Sequence, residues 1–266
     1  MATEIARDTH QAELYEGRKI YRPDVIVLPT PKEVDIYAAS LVAEQIYAQP
    51  DSVITLPTGS TPIGMYGILV DYNHRGLDMS GLTTTNLDEY VGLKRAHPES
   101  YYSFMRRNFF DQVNIPIEQR HIPNSEAPDP DEEAVRYQQV LDEIGTRDLA
   151  VLGIGPKLTC HIGFNERGST LDSRVRVVQI DEETRNANCE TFDNNPDNVP
   201  PKAITQGVAD IVFDSQRIFL LAKGGKAQGI QRSLEGEIGP DAPASFLRLH
   251  PNVTYIIDEE AASLLG

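Results

Sequence analysis

Between Gly153 and Glu166 the chain brings a thiol, an imidazole and a carboxylate close together as Cys160, His161 and Glu166. Just before them Leu149 to Leu152 is a short apolar run, which reads as a buried strand of a parallel sheet. Titratable groups past the carboxyl end of such a strand lie where open α/β sheets bind ligands. A second acidic feature, Asp88-Glu89, follows the β-prone Thr83-Thr-Thr-Asn-Leu87. Two adjacent carboxylates cannot both enter an apolar core without cost. Either the pair is a solvated strand end, or Asp88 faces a cleft as general base while Glu89 turns elsewhere. A third feature is Pro57-Thr-Gly-Ser-Thr-Pro62, set between an apolar strand at Val53 to Leu56 and a helix from Ile63 to about Asn73. Strand, glycine turn and helix can cradle a phosphate through backbone N–H groups, with Gly59, Ser60 and Thr61 in contact with the anion. The same residues also suit a purely structural turn, and the Gly-Lys-Ser/Thr ending of a Walker loop is absent. Lys226 opens the helix that follows Lys223-Gly-Gly. A cation there opposes the helix dipole, which makes the residue a candidate for ligand duty, beside the ordinary reading of a solvated lysine.

The elements that would position these groups are legible in outline. Val25 to Leu28 is a first strand, and Thr30, Pro31 and Glu33 have the types of a helix cap, first residue and capping box. Val34, Ala38, Leu41, Val42 and Ile46 then recur at helical spacing. Pro98 to Phe110 is an aromatic-rich helix whose rings read as core, with Arg106 and Arg107 as surface charge. A brief strand is expected over His121 to Asn124, and an amphipathic helix over Pro130 to Ile144. Val175 to Ile180 reads as a strand, Asp181 to Cys189 as a polar helical segment, and Phe192 to Lys202 as a loop that could act as a lid. Arg217 to Ala222 and Val253 to Ile257 are further apolar strands. Repeated βα units imply an α/β fold, a mostly parallel sheet with helices on both faces. The expected organisation is an N-terminal extension over residues 1–23, partly helical around Gln11 to Gly17, and a single α/β catalytic domain over residues 24–266.

Composition narrows the function. A formal charge of −16 disfavours nonspecific binding to nucleic acid or anionic membranes, and an anionic substrate would need a local basic pocket. Residues Met1 to Tyr21 have the pattern of neither a signal peptide nor a membrane anchor, so a cytoplasmic location is expected. The two cysteines, Cys160 and Cys189, form no disulfide framework. His97, His121 and His161 show no zinc-ligand spacing with them, and no metal is expected.

Four blocks together resemble the glucosamine-6-phosphate deaminase/isomerase family. They are Leu56-Pro-Thr-Gly-Ser-Thr-Pro62; Asn86-Leu-Asp-Glu-Tyr-Val-Gly-Leu93 with His97-Pro-Glu-Ser-Tyr-Tyr-Ser-Phe104; Gly153-Ile-Gly155 with His161-Ile-Gly-Phe-Asn-Glu166; and Ala203-Ile-Thr-Gln-Gly207 with Lys226. The resemblance runs from about Val25 to Ile257. It implies a modified Rossmann-like fold of the sugar-phosphate isomerase/deaminase type, with no cofactor. The implied reaction turns a 2-amino-2-deoxyhexose 6-phosphate and water into a ketohexose 6-phosphate and ammonia, most simply D-glucosamine 6-phosphate into D-fructose 6-phosphate. By the same resemblance Asp88 moves the C2 proton to C1, and His161, oriented by Glu166, opens the sugar ring. Gly59, Ser60, Thr61, Arg185 and Lys226 would hold the phosphate. The residue types suit this chemistry, since one carboxylate can serve two neighbouring carbons and an imidazole can take an anomeric proton near neutral pH.

One departure stands out. The family places an acid or amide two residues before the histidine and glycine directly before it; here those positions hold Thr159 and Cys160, in a lengthened loop that also carries Lys157. Thr159, Cys160 and Lys157 are therefore expected near the pocket, with Cys160 not a nucleophile. The departure admits a galactosamine-6-phosphate deaminase or another sugar-phosphate isomerase as alternatives. From a different class it admits a weakened sugar-phosphate-binding sensor. A 6-phosphogluconolactonase ranks lower, because that chemistry has no use for Asp88. Ser169 and Arg176 match the family's effector site, but the basic residue expected near Val178 is missing and the chain stops at Gly266, so a non-allosteric enzyme is expected. Relatives occur as monomers and hexamers, which leaves a homo-oligomer open.

Overall fold

The structure is a computed structural model that describes residues 14–155 and 159–266. Its first elements are the paired strands β1 (Leu14–Tyr15) and β2 (Arg18–Lys19), joined at Glu16 and Gly17, both at positive φ. A tight hairpin thus replaces the helix expected up to Gly17; the expected residues before Leu14 lie outside the described range. Tyr15 meets Phe246 edge-on at 6.0 Å and Arg18 lies over the Phe213 ring at 4.4 Å, so the hairpin is held from the side-chain end by the body of the protein.

The main chain of elements then runs β3 (Asp24–Leu28), α1 (Pro31–Ala48), β4 (Val53–Leu56), α2 (Ile63–His74), β5 (Thr83–Asn86), β6 (Asp88–Tyr90), α3 (Tyr101–Asn108), β7 (Arg120–His121) and α4 (Pro130–Ile144). It continues with β8 (Leu149–Gly153), β9 (Arg176–Gln179), α5 (Glu182–Asn188), β10 (Lys202–Thr205), α6 (Val208–Phe213), β11 (Ile218–Ala222), α7 (Ala227–Glu235), β12 (Val253–Asp258) and α8 (Glu259–Ala262). Local chemistry explains several boundaries. Thr30 accepts the Glu33 N–H and its hydroxyl donates to the Glu33 carboxylate at 2.9 Å, so the two side chains pair at the start of α1. Asp129 accepts from the N–H groups of Asp131 and Glu132, with Pro130 as the first residue of α4.

Seven strands make one parallel sheet in the order β3-β12-β11-β8-β4-β5-β7. The strand β8 is its centre. Along it Leu149 and Val151 enter the core under α1 and α2, while Ala150 and Leu152 enter the opposite core with α6 and α7. Burial on both faces is why the segment reads as an unbroken apolar run. After β4 the chain builds outward through β5 to β7, and after β8 it builds the other way through β11 to β12. The gap between β4 and β8 is therefore the topological switch point, where such sheets open a crevice at the carboxyl ends of their strands.

A second sheet, β6-β10-β9, is antiparallel and covers that end. Asp88 to Tyr90 does not simply extend the preceding strand: the chain leaves the large sheet at Leu87 and enters the small one. The exchange is fixed where Gln206 N–H donates to the Leu87 carbonyl at 2.7 Å. Tyr90, Phe164, Phe192, Val199 and Ala203 form a small separate core beneath it.

Candidate active site

A cavity of about 230 Å³ sits at the switch point. Gly59, Ser60 and Thr61 line it from the β4–α2 loop, Asp88 from the start of β6, His161 from the loop after β8, and Lys226 from the turn before α7. Residues from four distant parts of the chain meet here because β4, β8 and β11 end on this side of the parallel sheet and the chain leaves β5 there to begin β6.

Asp88 is almost completely buried, and burial first, then the neighbouring Glu89, push its carboxyl well above the usual carboxylate range. Its neighbour turns away. Glu89 accepts the backbone N–H groups of Tyr90, Tyr101 and Tyr102 at 2.8, 3.0 and 2.8 Å, which ties β6 to the first turn of α3. Burial raises the Glu89 carboxyl to about 7, with those three N–H groups and Arg95 pulling the other way. One acid thus faces the cavity and the other anchors a helix.

Among the described residues His161 is held through Nδ1 only. Its Nδ1 lies 2.9 Å from Glu166 Oε2 and 3.0 Å from Thr159 Oγ1. With Nδ1–H donating to the carboxylate, Nε2 is the basic nitrogen on the ring. The loop reaches this position through two glycines. A methyl group at Gly155 would lie 2.4 Å from the His161 ring. At Gly163, φ is +57°, and a methyl would lie 3.0 Å from Thr205 Oγ1 and 3.5 Å from Asp88 Oδ2.

At the other end of the cavity, Gly59 takes φ +89°, which exposes the backbone of the Thr58–Thr61 turn. Lys226 Nζ reaches to 3.4 Å from the Gly155 carbonyl, and burial lowers its pKa. Two anchors set the turn before it. Asp258 accepts the Gly224 N–H at 2.8 Å, and Lys223 pairs with the buried Asp35 at 2.8 Å.

The remaining expected site residues fall elsewhere. The Arg185 guanidinium donates to the Pro196 carbonyl at 2.6 Å and approaches Asp197 at 3.5 Å, so it holds the 192–202 segment and does not line the cavity. Cys160 is also outside it. The residue takes φ +47°, and its thiol is buried among Ile154, Ile230 and Leu247, donating to the Gly229 carbonyl at 3.3 Å. That burial raises the thiol pKa to about 11. The left-handed backbone is what a glycine would adopt freely; with a cysteine it turns the side chain into the core. Thr159 is buried against the imidazole, and Lys157 lies outside the described residues. Ser169 and Arg176 meet at 2.8 Å beside a separate surface cavity.

Sequence reasoning missed several residues of the wall, two of them polar and large enough to touch a ligand. Tyr101, read as core with the other rings of α3, lines the cavity, as does Asn188, whose amide donates to the Tyr90 hydroxyl at 3.1 Å. A hydroxyl sets Tyr101 apart from Phe109 and Phe110 but not from Tyr102, and Tyr101 falls within the His97–Phe104 block that carries the resemblance. Among the described residues there is no cluster of three metal-ligating side chains and no helix long and apolar enough to cross a membrane.

Residues 31–256 match the family described as "Glucosamine-6-phosphate isomerases/6-phosphogluconolactonase". A glucosamine-6-phosphate deaminase of Thermoanaerobacter pseudethanolicus is 44% identical over 91% of this chain and 94% of its own length. One from Halothermothrix orenii is 46% identical over 91% and 99%. A solved structure described as a monomeric glucosamine-6-phosphate deaminase superposes with a TM-score of 0.87 at 42% identity, covering 91% of this chain and 99% of that one. The 6-phosphogluconolactonase of Trypanosoma brucei, at 21% identity and a TM-score of 0.72 over 92% and 100% of the two chains, shares the fold. With a family match over most of its length, and relatives well above 40% identical across nine-tenths of it, the chain is a member of the glucosamine-6-phosphate isomerase/6-phosphogluconolactonase family.

Proposed function

We propose that the protein is a glucosamine-6-phosphate deaminase, converting D-glucosamine 6-phosphate and water into D-fructose 6-phosphate and ammonia. The observation that carries this reading is Asp88 and His161 facing one cavity whose far end offers an exposed glycine turn and an ammonium group. The identity to named deaminases supports the reaction class, and the lactonase likeness reaches only to the fold.

In this reading the phosphate is bound by the N–H and hydroxyl groups of the Gly59–Thr61 turn and by Lys226. His161 Nε2 takes the proton of the anomeric hydroxyl and returns it to the ring oxygen as the C1–O5 bond breaks; Glu166 keeps the other nitrogen protonated. Asp88 then removes the proton from C2 while the C1 carbonyl oxygen takes a proton given up by the substrate's ammonium group, giving an enolamine, and Asp88 delivers the C2 proton to C1. The C2 imine that results adds water, and the carbinolamine expels ammonia to leave the ketone. No group is oxidised by an outside reagent. The raised basicity of buried Asp88 suits a carboxylate that must accept a proton from carbon. Residues 24–266 are proposed to work as one catalytic unit in the cytoplasm, with a phosphorylated amino sugar as the binding partner. Thr159 occupies the position of the family's acid or amide beside the imidazole, so ring opening here relies on Glu166.

The test is ammonia release from a panel of hexosamine 6-phosphates. Glucosamine 6-phosphate should be turned over fastest, and Asp88→Asn should lower kcat by roughly 10²–10⁴-fold while changing KM little. Absence of ammonia from every member of the panel would overturn the reading.

A further inference from the structure

On the far side of the sheet's β5–β7 edge lies a second cavity, of about 310 Å³, built from three separate stretches of chain. Arg95 comes from the loop after β6, Arg120 and His121 from β7, and Arg136 from α4, with Asn124 between them. Among the described residues that line it none is acidic, in a protein whose acids outnumber its basic residues 40 to 24, although the buried Glu133 carboxylate bonds to Arg136 and to the Asn124 N–H from behind. That bias runs against the whole-molecule charge and needs a local reason.

Much of the donor capacity of this cluster is unspent. The Arg95 guanidinium stacks over the Tyr102 ring at 4.4 Å and makes no hydrogen bond among the described residues. Arg120 lies over the Phe110 ring at 5.2 Å and gives Nε and one amino group to the Ile115 carbonyl, which leaves its other amino group. Arg136 is engaged by Glu133 through Nε and one amino group, both at 2.6 Å, and likewise keeps the other. The half-buried His121 ring has no hydrogen-bond partner among the described residues, and burial with Arg136 nearby lowers its pKa. Stacked arginines keep a fixed guanidinium plane, and a fixed fork of N–H donors fits tetrahedral oxyanions. The walls are rigid too: Tyr137 lies between them and donates its hydroxyl to the carbonyls of both Asn86 and His121, at 2.7 and 3.2 Å.

We infer that the cavity formed by Arg95, Arg120, His121 and Arg136 is a second anion site, for phosphate or the phosphate group of a small monoester, separate from the cavity that holds Asp88. Free phosphate and a phosphate ester share this chemistry, and the two are distinguished by experiment.

The full-length Lys226→Ala protein, weakened at the first phosphate site, is followed by NMR of the His121 imidazole, assigned against His121→Gln. Inorganic phosphate should shift that resonance saturably, and Arg95→Gln or Arg136→Gln should weaken the apparent affinity roughly tenfold or more. Both side chains are exposed at the surface, Arg95→Gln removes no ion pair among the described residues, and the unshifted signals of the other histidines check the fold of each variant. A parallel titration with fructose 6-phosphate identifies the source: a response to both ligands assigns an ester-accepting site, and a response to phosphate alone assigns the free ion. A resonance that responds to neither, or equally to sodium chloride at the same ionic strength, or unchanged in both arginine variants, overturns the inference.

Discussion

At the scale of single residues, the contrast between Asp88 and Glu89 shows how position divides two like groups. Both are carboxylates, adjacent, and buried, yet only Glu89 has three backbone N–H groups to accept. Glu89 therefore serves the helix, and Asp88 is left for the cavity. The types Asp, His, Glu, Lys and the Gly-Ser-Thr turn were legible in the sequence because each is unusual at its place in a βα unit. Arg185 and Cys160 show the limit of such reading, since a residue number gives no side-chain direction. A φ of +47° at Cys160 and a carbonyl at Pro196 within reach of Arg185 decided those directions. Lys226 is the residue-scale prediction. Its lowered pKa means that binding a phosphate, which favours the charged ammonium, should strengthen as the lysine gains its proton. Lys226→Ala should raise KM for the phosphosugar roughly tenfold to a hundredfold, with a smaller effect on kcat; equal KM values in steady-state assays would remove the assignment.

Elements carry these residues to one place by ending together. The strands β4, β8 and β11 finish on one side of the parallel sheet, and the turns after them supply Ser60, His161 and Lys226. Asp88 arrives differently, since β5 stops at Asn86 and the chain crosses into the antiparallel sheet. That crossing was not readable from Thr83 to Tyr90, because its partner strand, β10, is more than a hundred residues away in sequence. Helix α4, by contrast, was read to the residue, since its cap, proline and acidic first turn are all local. The tight approach of the β8 loop to the imidazole gives the element-scale prediction. Gly155→Ala places a methyl against the His161 ring, which must move. Displacement on the order of 1 Å should cost about 10²-fold in kcat, with the midpoint of thermal unfolding little changed. A fully active Gly155→Ala enzyme would mean that His161 is not held where catalysis needs it.

For the whole molecule, buried carboxyls set how stability depends on pH. The Glu89 carboxyl stands near 7 in the folded protein against an ordinary 4.5, so between those values the folded state binds more protons than the unfolded chain. Stability must then fall as pH rises through that window, by at most on the order of 3 kcal/mol from this group. Asp88 adds to the fall with the same sign. Below pH 4.5 both states are protonated and the effect of Glu89 vanishes; above 7 its cost is complete. Urea unfolding from pH 4.5 to 7.5 should show the decline, and Glu89→Gln should flatten it. A wild-type curve that climbs across the window would contradict the burial argument. The net charge of −16 works in the same direction as the acids ionise, through self-repulsion. Against that charge the cluster of Arg95, Arg120 and Arg136 is a local inversion, tied through Tyr137 to the strand end that precedes Asp88.

What the sequence alone determined was everything that depends on neighbours in the chain: the βα alternation, the central apolar strand, the anion-ready turn, the helix caps, and the four blocks that carry the family likeness. What only the tertiary structure decided was everything that depends on which side chains point the same way: the second sheet under Asp88, Tyr101 and Asn188 in the wall, Arg185 on the 192–202 segment, and three arginines around one hollow. The division has one cause. Periodicity and capping are short-range and repeat within a few residues, whereas a site is a coincidence of distant segments whose register is fixed only when both faces of the sheet are packed.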